Sequence, residues 1–145
     1  MYVDRPSGCG VVFQVMQPLA PGSAWTESVL HSFTGVDGDG AYPASAITVG
    51  PHGTLYGTTQ YGGNVTSVCP SSYYVLGGCG IVFELTPPTA PGGAWTETIL
   101  HDFTGQNGDG GLPVASLALS STGVLYGTTS AGGAAGKGTV FAVKP

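Results

Sequence analysis

Two equivalent turns carry acidic and amide side chains whose types and spacing resemble those of cation-binding loops. Residues 35–40 read GVDGDG and residues 105–110 read GQNGDG, so oxygen-bearing side chains alternate with glycines. Hard cations such as Ca²⁺ take several oxygen ligands of this kind. No third acidic residue or bidentate Glu follows, which favours a plain hydrogen-bonded turn without a cofactor. Calcium binding is the alternative, with Asp37, Asp39, Asn107 and Asp109 as its ligands.

Tyrosines are the candidate ligand-binding residues. Their rings offer flat apolar faces with a polar hydroxyl, on which sugars stack while Asp, Asn and Thr side chains bind the sugar hydroxyls. Burial between repeats is the alternative for the two tyrosines of the LYGTT segments. The segment that holds a Tyr-Tyr pair has no counterpart elsewhere in the chain, which favours exposure of that pair. The residues predicted to bind a glycan-type ligand are Tyr56, Tyr61, Tyr73, Tyr74 and Tyr126.

Histidines and glutamates also recur, but their spacing gives no catalytic constellation. Neighbouring residues of a strand point to opposite faces, so His101 and Asp102 cannot form a dyad within one strand. We expect His31 and His101 to pack between strands, and a metal ring or general base assembled from several repeats is the alternative. Glu27 and Glu97 could hydrolyse glycosides only if two carboxylates converge at roughly 5–10 Å. The sequence contains no nucleophile elbow, P-loop or zinc-binding helix motif.

Composition limits the partners. The chain has 3 basic and 8 acidic residues, a net charge of −5, and charged residues make up 8% of it. A nucleic-acid backbone or an anionic membrane surface would require a basic patch, which this composition does not provide. No apolar run approaches the length of a membrane span. We therefore expect neither nucleic-acid binding nor membrane insertion, and the many Ser, Thr, Gly and Tyr residues favour an extracellular or cell-surface location.

The three cysteines fit the same location. Cys69 and Cys79 bracket a segment that interrupts the repeat, and a disulfide between them would close that segment at its base. Three unrelated thiols are the alternative. Cys9 occupies the position equivalent to Cys79 and has no evident partner.

The elements that position these residues come from an internal repeat. Residues 9–63 recur as residues 79–133 at a constant offset of 70, and the opening motif returns a third time as Gly138-Thr139-Val140-Phe141. Because Phe83 and Phe141 are only 58 residues apart, the basic unit has about 58 residues and the first copy carries an insertion. The predicted organisation is one repeat domain, 1–145, with units 9–78 (inserted loop 64–78) and 79–137 and the start of a third unit, 138–145.

Each unit reads as four short strands separated by glycine- and proline-rich turns, without helical periodicity. The strands of the first unit are GVVFQVM, AWTESVLHSF, ASAITVG and TLYGTTQ. Strict alternation along the second strand puts Val29, His31 and Phe33 on the same face. Four strands per repeat are typical of a β-propeller blade. We predict an all-β, antiparallel protein of about two four-stranded propeller-type blades plus one extra strand.

The predicted blades must pack face to face, because one four-stranded sheet cannot bury both of its faces alone. Two blades cannot close a ring. The chain should therefore associate with copies of itself into a homo-oligomer or filament, or be a piece of a longer array. A β-sandwich or a β-solenoid is the alternative fold.

The repeat motifs resemble a known family. GTVF, WTET, FTG and LYGTT followed by GG resemble the tandem repeats of GloVer-type (choice-of-anchor tandem repeat) proteins, which are secreted, surface-anchored bacterial proteins. The resemblance covers nearly the whole chain. It implies an extracellular, β-propeller-like array and implies no reaction.

The function expected from these features is non-catalytic binding of a glycan-type ligand, at repeated sites between blades or in loops. The first alternative is a structural protein whose open edge strands pair between chains into rings or filaments. The second alternative is a glycoside hydrolase-like enzyme. The expected partners are therefore copies of the chain and glycans.

Overall fold

The computed structural model describes residues 8–64, 69 and 77–145, and Tyr73 and Tyr74 lie outside these residues. Strands dominate the described part, where the one helical element is a 3-10 turn at Pro51–Gly53. No helix there is long and apolar enough to cross a lipid bilayer. The strands are β1 (Val11–Met16), β2 (Thr26–Ser32), β3 (Gly40–Ala41), β4 (Thr48–Val49), β5 (Leu55–Thr59), β6 (Tyr61–Gly62), β7 (Ile81–Thr86), β8 (Thr96–Asp102), β9 (Gly110–Pro113), β10 (Ala118–Leu119), β11 (Leu125–Gly132) and β12 (Val140–Val143).

The strands form three antiparallel sheets and one short antiparallel ribbon, which confirms the predicted all-β fold. Sheet I contains β1 and β2, sheet II contains β4, β5, β7 and β8, and sheet III contains β9, β10, β11 and β12; β3 and β6 form a small separate ribbon. Sheet II combines strands of two units, because β5 of the first unit pairs with β7 of the second, with Tyr56 opposite Glu84. A sheet therefore straddles the boundary between units. The sheets are consistent with propeller-type blades, and those of the described residues do not close a ring.

Sheet II is packed on both faces, because alternate residues of β7 point in opposite directions. Ile81, Phe83 and Leu85 are fully buried and pack with Val12 and Phe33 of the first unit on the side of sheet I. On the other face, a second cluster joins Tyr56, Val82 and Phe103 to Leu117 and Leu125. The three sheets thus stack in the order I, II, III.

Phenylalanine pairs recur at both contacts between sheets. The rings of Phe33 and Phe83 meet edge to face at 5.2 Å between centroids, and those of Phe103 and Phe141 at 5.0 Å. The Phe of the GxVF motif therefore packs on the Phe of the preceding HxF motif. This pairing accounts for the recurrence of both motifs.

A β-bulge changes the predicted facing of the second strand of each unit. Val12 pairs with His31 and Phe13 pairs with Val29, which leaves Leu30 as an extra residue. Directly opposed residues lie on the same face of a sheet, so Val29 and His31 point to opposite faces. The predicted shared face for these two residues is therefore wrong, because the alternation breaks at the bulge. The same shift occurs in β8, at Leu100.

The glycine of the LYG motif makes room for the phenylalanine of the next strand. A Cβ atom at Gly57 would lie 2.5 Å from Cζ of Phe83. The two residues are direct partners in the pairing of β5 with β7. Phe141 occupies the same place over Gly127. Any side chain at these glycines would displace the ring that joins neighbouring sheets.

The predicted disulfide is confirmed. Cys69 and Cys79 are bonded, with their Cα atoms 5.2 Å apart. Cys79 is fully buried in the cluster between sheets II and III, and a Cβ atom at Gly111 would lie 2.6 Å from Sγ of Cys69. The disulfide therefore packs against the second unit. Cys9 is free, and its thiol donates a hydrogen bond to the carbonyl of Thr34 over 3.2 Å.

We predict that Gly57→Ala lowers the free energy of unfolding by about 1–3 kcal/mol, because the added methyl group overpacks the ring of Phe83. Urea unfolding of the single variants and of the double variant with Phe83→Leu measures the effect. The smaller Leu side chain leaves space for the methyl group, so Gly57→Ala should cost less in that background. Strictly additive costs would show that the ring does not cause the loss.

Reduction of the disulfide should lower the free energy of unfolding by about 2–3 kcal/mol, the chain-entropy value for a loop of this length. The measurement is urea unfolding with and without dithiothreitol. Cys9→Ser provides the control, because this variant lacks the free thiol and should lose as much stability on reduction as the unmodified protein. A protein indifferent to the reductant would contradict the prediction.

Candidate functional site

Three polar side chains meet between sheets I and II, and we call them the inter-sheet triad: His31, Asp39 and Glu97. Nε2 of His31 lies 3.7 Å from Oδ1 of Asp39 and 3.6 Å from Oε2 of Glu97. One ligand atom from each residue lies within 4.8 Å of the other two. The triad thus brings an imidazole nitrogen and two carboxylate oxygens together at a contact between repeats.

The β-bulge places the triad. Glu97 is paired with Leu85, whose side chain faces sheet I. Because of the extra residue Leu30, His31 lies on the same face as Val12, which is the face toward sheet II. Histidine and glutamate therefore leave their strands on opposite faces, and the His of one sheet meets the Glu of the next. Without the bulge, His31 would point away from Glu97.

Hydrogen bonds of the first acidic turn orient Asp39. Its Oδ2 accepts from the backbone N–H of Thr34 at 2.6 Å and from the Thr34 hydroxyl at 2.7 Å, and its Oδ1 accepts from the N–H of Gly40 at 2.7 Å. Asp109 accepts equivalent bonds from Thr104 and Gly110. These are the local bonds of the plain turn that the sequence favours. Calcium binding by the turns stays a prediction.

The other two predicted calcium ligands sit in the same turns with left-handed backbones. Asp37 has φ 55° and Asn107 has φ 53°, and both side chains are exposed. The triad therefore draws on Asp39 alone among the predicted acidic ligands. Its other two members come from strands, not from the turn.

The triad is polar, enclosed and incompletely hydrogen-bonded. Nε2 of His31 and Oε1 of Glu97 are inaccessible to solvent and have no hydrogen-bond partner. Burial raises the pKa of Glu97 above its ordinary value, and the Asp39 carboxylate raises it further while His31 opposes the shift. The environment thus disfavours an ionised Glu97 unless a positive charge compensates it.

The equivalent pair of the second unit lacks a third member among the described residues. Nε2 of His101 lies 3.2 Å from Oδ1 of Asp109, within hydrogen-bond distance. Burial raises the pKa of Asp109, but hydrogen bonds from Thr104, His101 and Gly110 outweigh this and lower the pKa below its ordinary value. His and Asp therefore bond directly where no Glu reaches them.

The predicted ligand-binding tyrosines differ in exposure. Tyr56 is buried in the cluster between sheets II and III, and burial followed by the nearby Glu84 carboxylate raises its pKa. Tyr126, its equivalent in sheet III, is 46% exposed. Tyr61 is half-buried and meets Tyr42 edge to face at 5.6 Å. The burial of Tyr56 matches the alternative considered for the LYGTT tyrosines.

Sequence reasoning missed the triad although its members were visible. His31, Asp39 and Glu97 each recur, as His101, Asp109 and Glu27, and this shared recurrence was the available signal. Their contact depends on the bulge and on the stacking of sheets I and II, and neither is visible in the spacing of these residues along the chain. Glu27, by contrast, is exposed on β2 and is paired with Val15.

We predict that Asp109→Asn destabilises the protein by about 1–2 kcal/mol at neutral pH, through weaker bonds from Thr104 and Gly110. Because the folded-state pKa lies below the unfolded value of about 3.9, the ionised carboxylate stabilises the fold above that value. This contribution disappears as the pH falls through the folded-state pKa. Urea unfolding of both proteins across this range measures it.

Asp37→Asn is the matched control, since it removes an exposed carboxylate from the equivalent turn and should leave stability unchanged. A difference between the Asp109→Asn variant and the unmodified protein that persists unchanged in acid would contradict the prediction.

Similarity to known proteins identifies the family of the chain. No curated protein sequence and no solved structure matches the chain significantly. A family profile does match: the Gloeobacter/Verrucomicrobia repeat, over residues 7–145. The matched range contains both repeat units, the start of the third and all members of the inter-sheet triad. The chain therefore belongs to the Gloeobacter/Verrucomicrobia repeat family.

Proposed function

We propose that this chain is a non-catalytic structural module that associates head to tail with copies of itself. The observation that carries the proposal is an apolar sheet face that is open in the first unit and closed in the second. This outer face of sheet I consists of Val11, Phe13, Val15 and Trp25, all of them exposed.

The second unit shows what covers such a face. Phe13 is 54% exposed, whereas its equivalent Phe83 is fully buried under Phe33 of the neighbouring sheet. Ile81 and Leu85, the equivalents of Val11 and Val15, are likewise fully buried. The natural occupant of the outer face is therefore another sheet of the same kind. Isolated exposed apolar residues need no explanation, but a contiguous apolar face marks an interaction surface.

The opposite end of the stack carries a complementary face on sheet III, formed by Tyr126 and Val140. Val140 is 81% exposed, whereas its equivalent Val82 is fully buried between sheets II and III. Within the chain, the face of sheet II that carries Val82 packs against sheet III, which carries Phe141, the equivalent of Phe13. Sheet III of one copy is thus suited to cover sheet I of the next.

The two faces differ in sequence, so the contact between copies is heterologous. Heterologous contacts close into rings or continue as filaments, depending on the rotation between subunits. Rings or filaments are also what the sequence predicts, but the proposed contact joins sheet faces and not the open edge strands. The confirmed disulfide and the family support an extracellular or cell-surface location.

Glycan binding is the second candidate function. A groove of about 450 Å³ lies between sheets I and II, and its lining includes Trp95, Val12, Gln14 and His52. This volume lies within the range of small-molecule sites, and an aromatic face beside polar side chains suits a sugar. The groove favours the sites between blades that the sequence predicts.

Sedimentation velocity over a range of concentrations tests the association. We expect the unmodified protein to form oligomers, and Phe13→Asp and Val140→Asp each to remain monomeric, because either change buries a charge in the contact. An equimolar mixture of the two variants retains one intact contact and should give a dimer that grows no further. Leu19→Asp alters a fully exposed residue outside both faces and is the control.

Three results would overturn the proposal. The first is an unmodified protein that stays monomeric, and the second is a Val140→Asp variant that associates normally. The third is a monomer that binds a glycan array and loses this binding on Trp95→Ala, which would support the second candidate.

A further inference from the structure

We propose that the inter-sheet triad of His31, Asp39 and Glu97 binds a divalent transition-metal ion, with Zn²⁺ as the best fit, and that this ion joins neighbouring repeats. All three ligands belong to one chain, so the site does not depend on the proposed association between copies. Two of them come from the first unit and one from the second.

The donor atoms suit zinc. Zn²⁺ takes histidine nitrogen at about 2.0–2.1 Å and carboxylate oxygen at about 2.0–2.2 Å, and where the protein supplies three ligands a water molecule takes the fourth position. Tetrahedral donors at those bond lengths lie roughly 3.3–3.5 Å apart. The separations of 3.6 and 3.7 Å from His31 to the two carboxylates are close to this spacing. Ca²⁺ would require six to eight oxygen ligands, which a site with an imidazole donor does not offer.

Two buried polar atoms of the triad are unpaired and available to a ligand. Nε2 of His31 and Oε1 of Glu97 are closed off from solvent and lack a hydrogen-bond partner. Buried polar atoms are nearly always satisfied, and exceptions call for an explanation such as an unseen ion. Two carboxylates held this close together in a mostly buried site also repel each other. A divalent cation would satisfy these atoms and balance both negative charges.

The second unit shows what the pair does without the third ligand. There His101 closes on Asp109 to 3.2 Å, a hydrogen-bond distance. In the triad, His31 instead lies almost equally far from Asp39 and Glu97, beyond hydrogen-bond distance from both. The His and Asp of two equivalent turns therefore differ in spacing where Glu97 is present. The three donor atoms form a triangle, all within 4.8 Å of one another, and a shared ion would lie among them.

The surroundings hold two of the ligands in place. Thr34 and Gly40 bind the carboxylate of Asp39, and the ring of Phe33 meets that of His31 edge to face at 4.7 Å. Such outer contacts orient metal ligands and strengthen binding. The metal site thus uses the same Phe33 that packs sheet I on sheet II. Binding of the ion and packing of the sheets should reinforce each other.

The test is a calorimetric titration of EDTA-treated protein with ZnCl₂, in a Cys9→Ser background that removes the free thiol. We expect one zinc ion per chain and a higher Tm on binding. Glu97→Gln keeps the shape of the side chain but removes a charged ligand, and should weaken binding at least tenfold. Glu27→Gln is the matched control at the equivalent position and should bind zinc normally. Co²⁺ in place of zinc should give the visible absorption of a four-coordinate site, which Glu97→Gln abolishes.

The titration of the unsubstituted triad decides the matter even if a variant fails to fold. Absence of zinc binding would overturn the proposal. Equal zinc affinity in folded Glu97→Gln would also overturn it, since the ion would then bind elsewhere.

Discussion

The fold depends on one constraint: a sheet of two to four short strands has two apolar faces and cannot cover either by itself. Each sheet therefore relies on its neighbour, and the contact is made by pairs such as Phe33 with Phe83. Sheet II, with a neighbour on each side, holds most of the fully buried residues. Sheets I and III have one neighbour each among the described residues and leave apolar side chains in solvent. Association between repeats is thus a consequence of how the sheets are stabilised.

The bulges at Leu30 and Leu100 determine which polar side chains of the second strands lie between neighbouring sheets. An extra residue reverses the face on which the rest of the strand points, so each second strand presents Glu on one side and His on the other. Stacking then brings Glu97 of one sheet to His31 of the next. The repeat could not form this contact within one unit. A polar cluster between sheets follows from the combination of a bulge with regular stacking.

The acidic turn contributes both to its own local structure and to the polar cluster between sheets I and II. Its Asp39 satisfies the backbone of the turn through Thr34 and Gly40, and the same carboxylate faces His31. Turn stability and the polar cluster therefore depend on one side chain. In the second unit Asp109 likewise bonds the backbone of its turn and also makes a hydrogen bond with His101. A residue needed locally for the turn is thereby available at the contact between repeats.

The sequence alone determined the repeat, the antiparallel all-β fold, the turns and the disulfide of Cys69 with Cys79, because each is written in local spacing. Period-two patterns predict strands, glycines predict turns, and Cys69 and Cys79 enclose most of the one insertion. Only the tertiary structure decided that sheet II draws its strands from two units and that Asp39 meets His31 and Glu97. Those contacts join residues far apart in the chain, and one unpaired leucine inverts the facing that alternation predicts. Burial of Tyr56 and exposure of Tyr126, at equivalent positions, likewise depend on whether a neighbouring sheet is present.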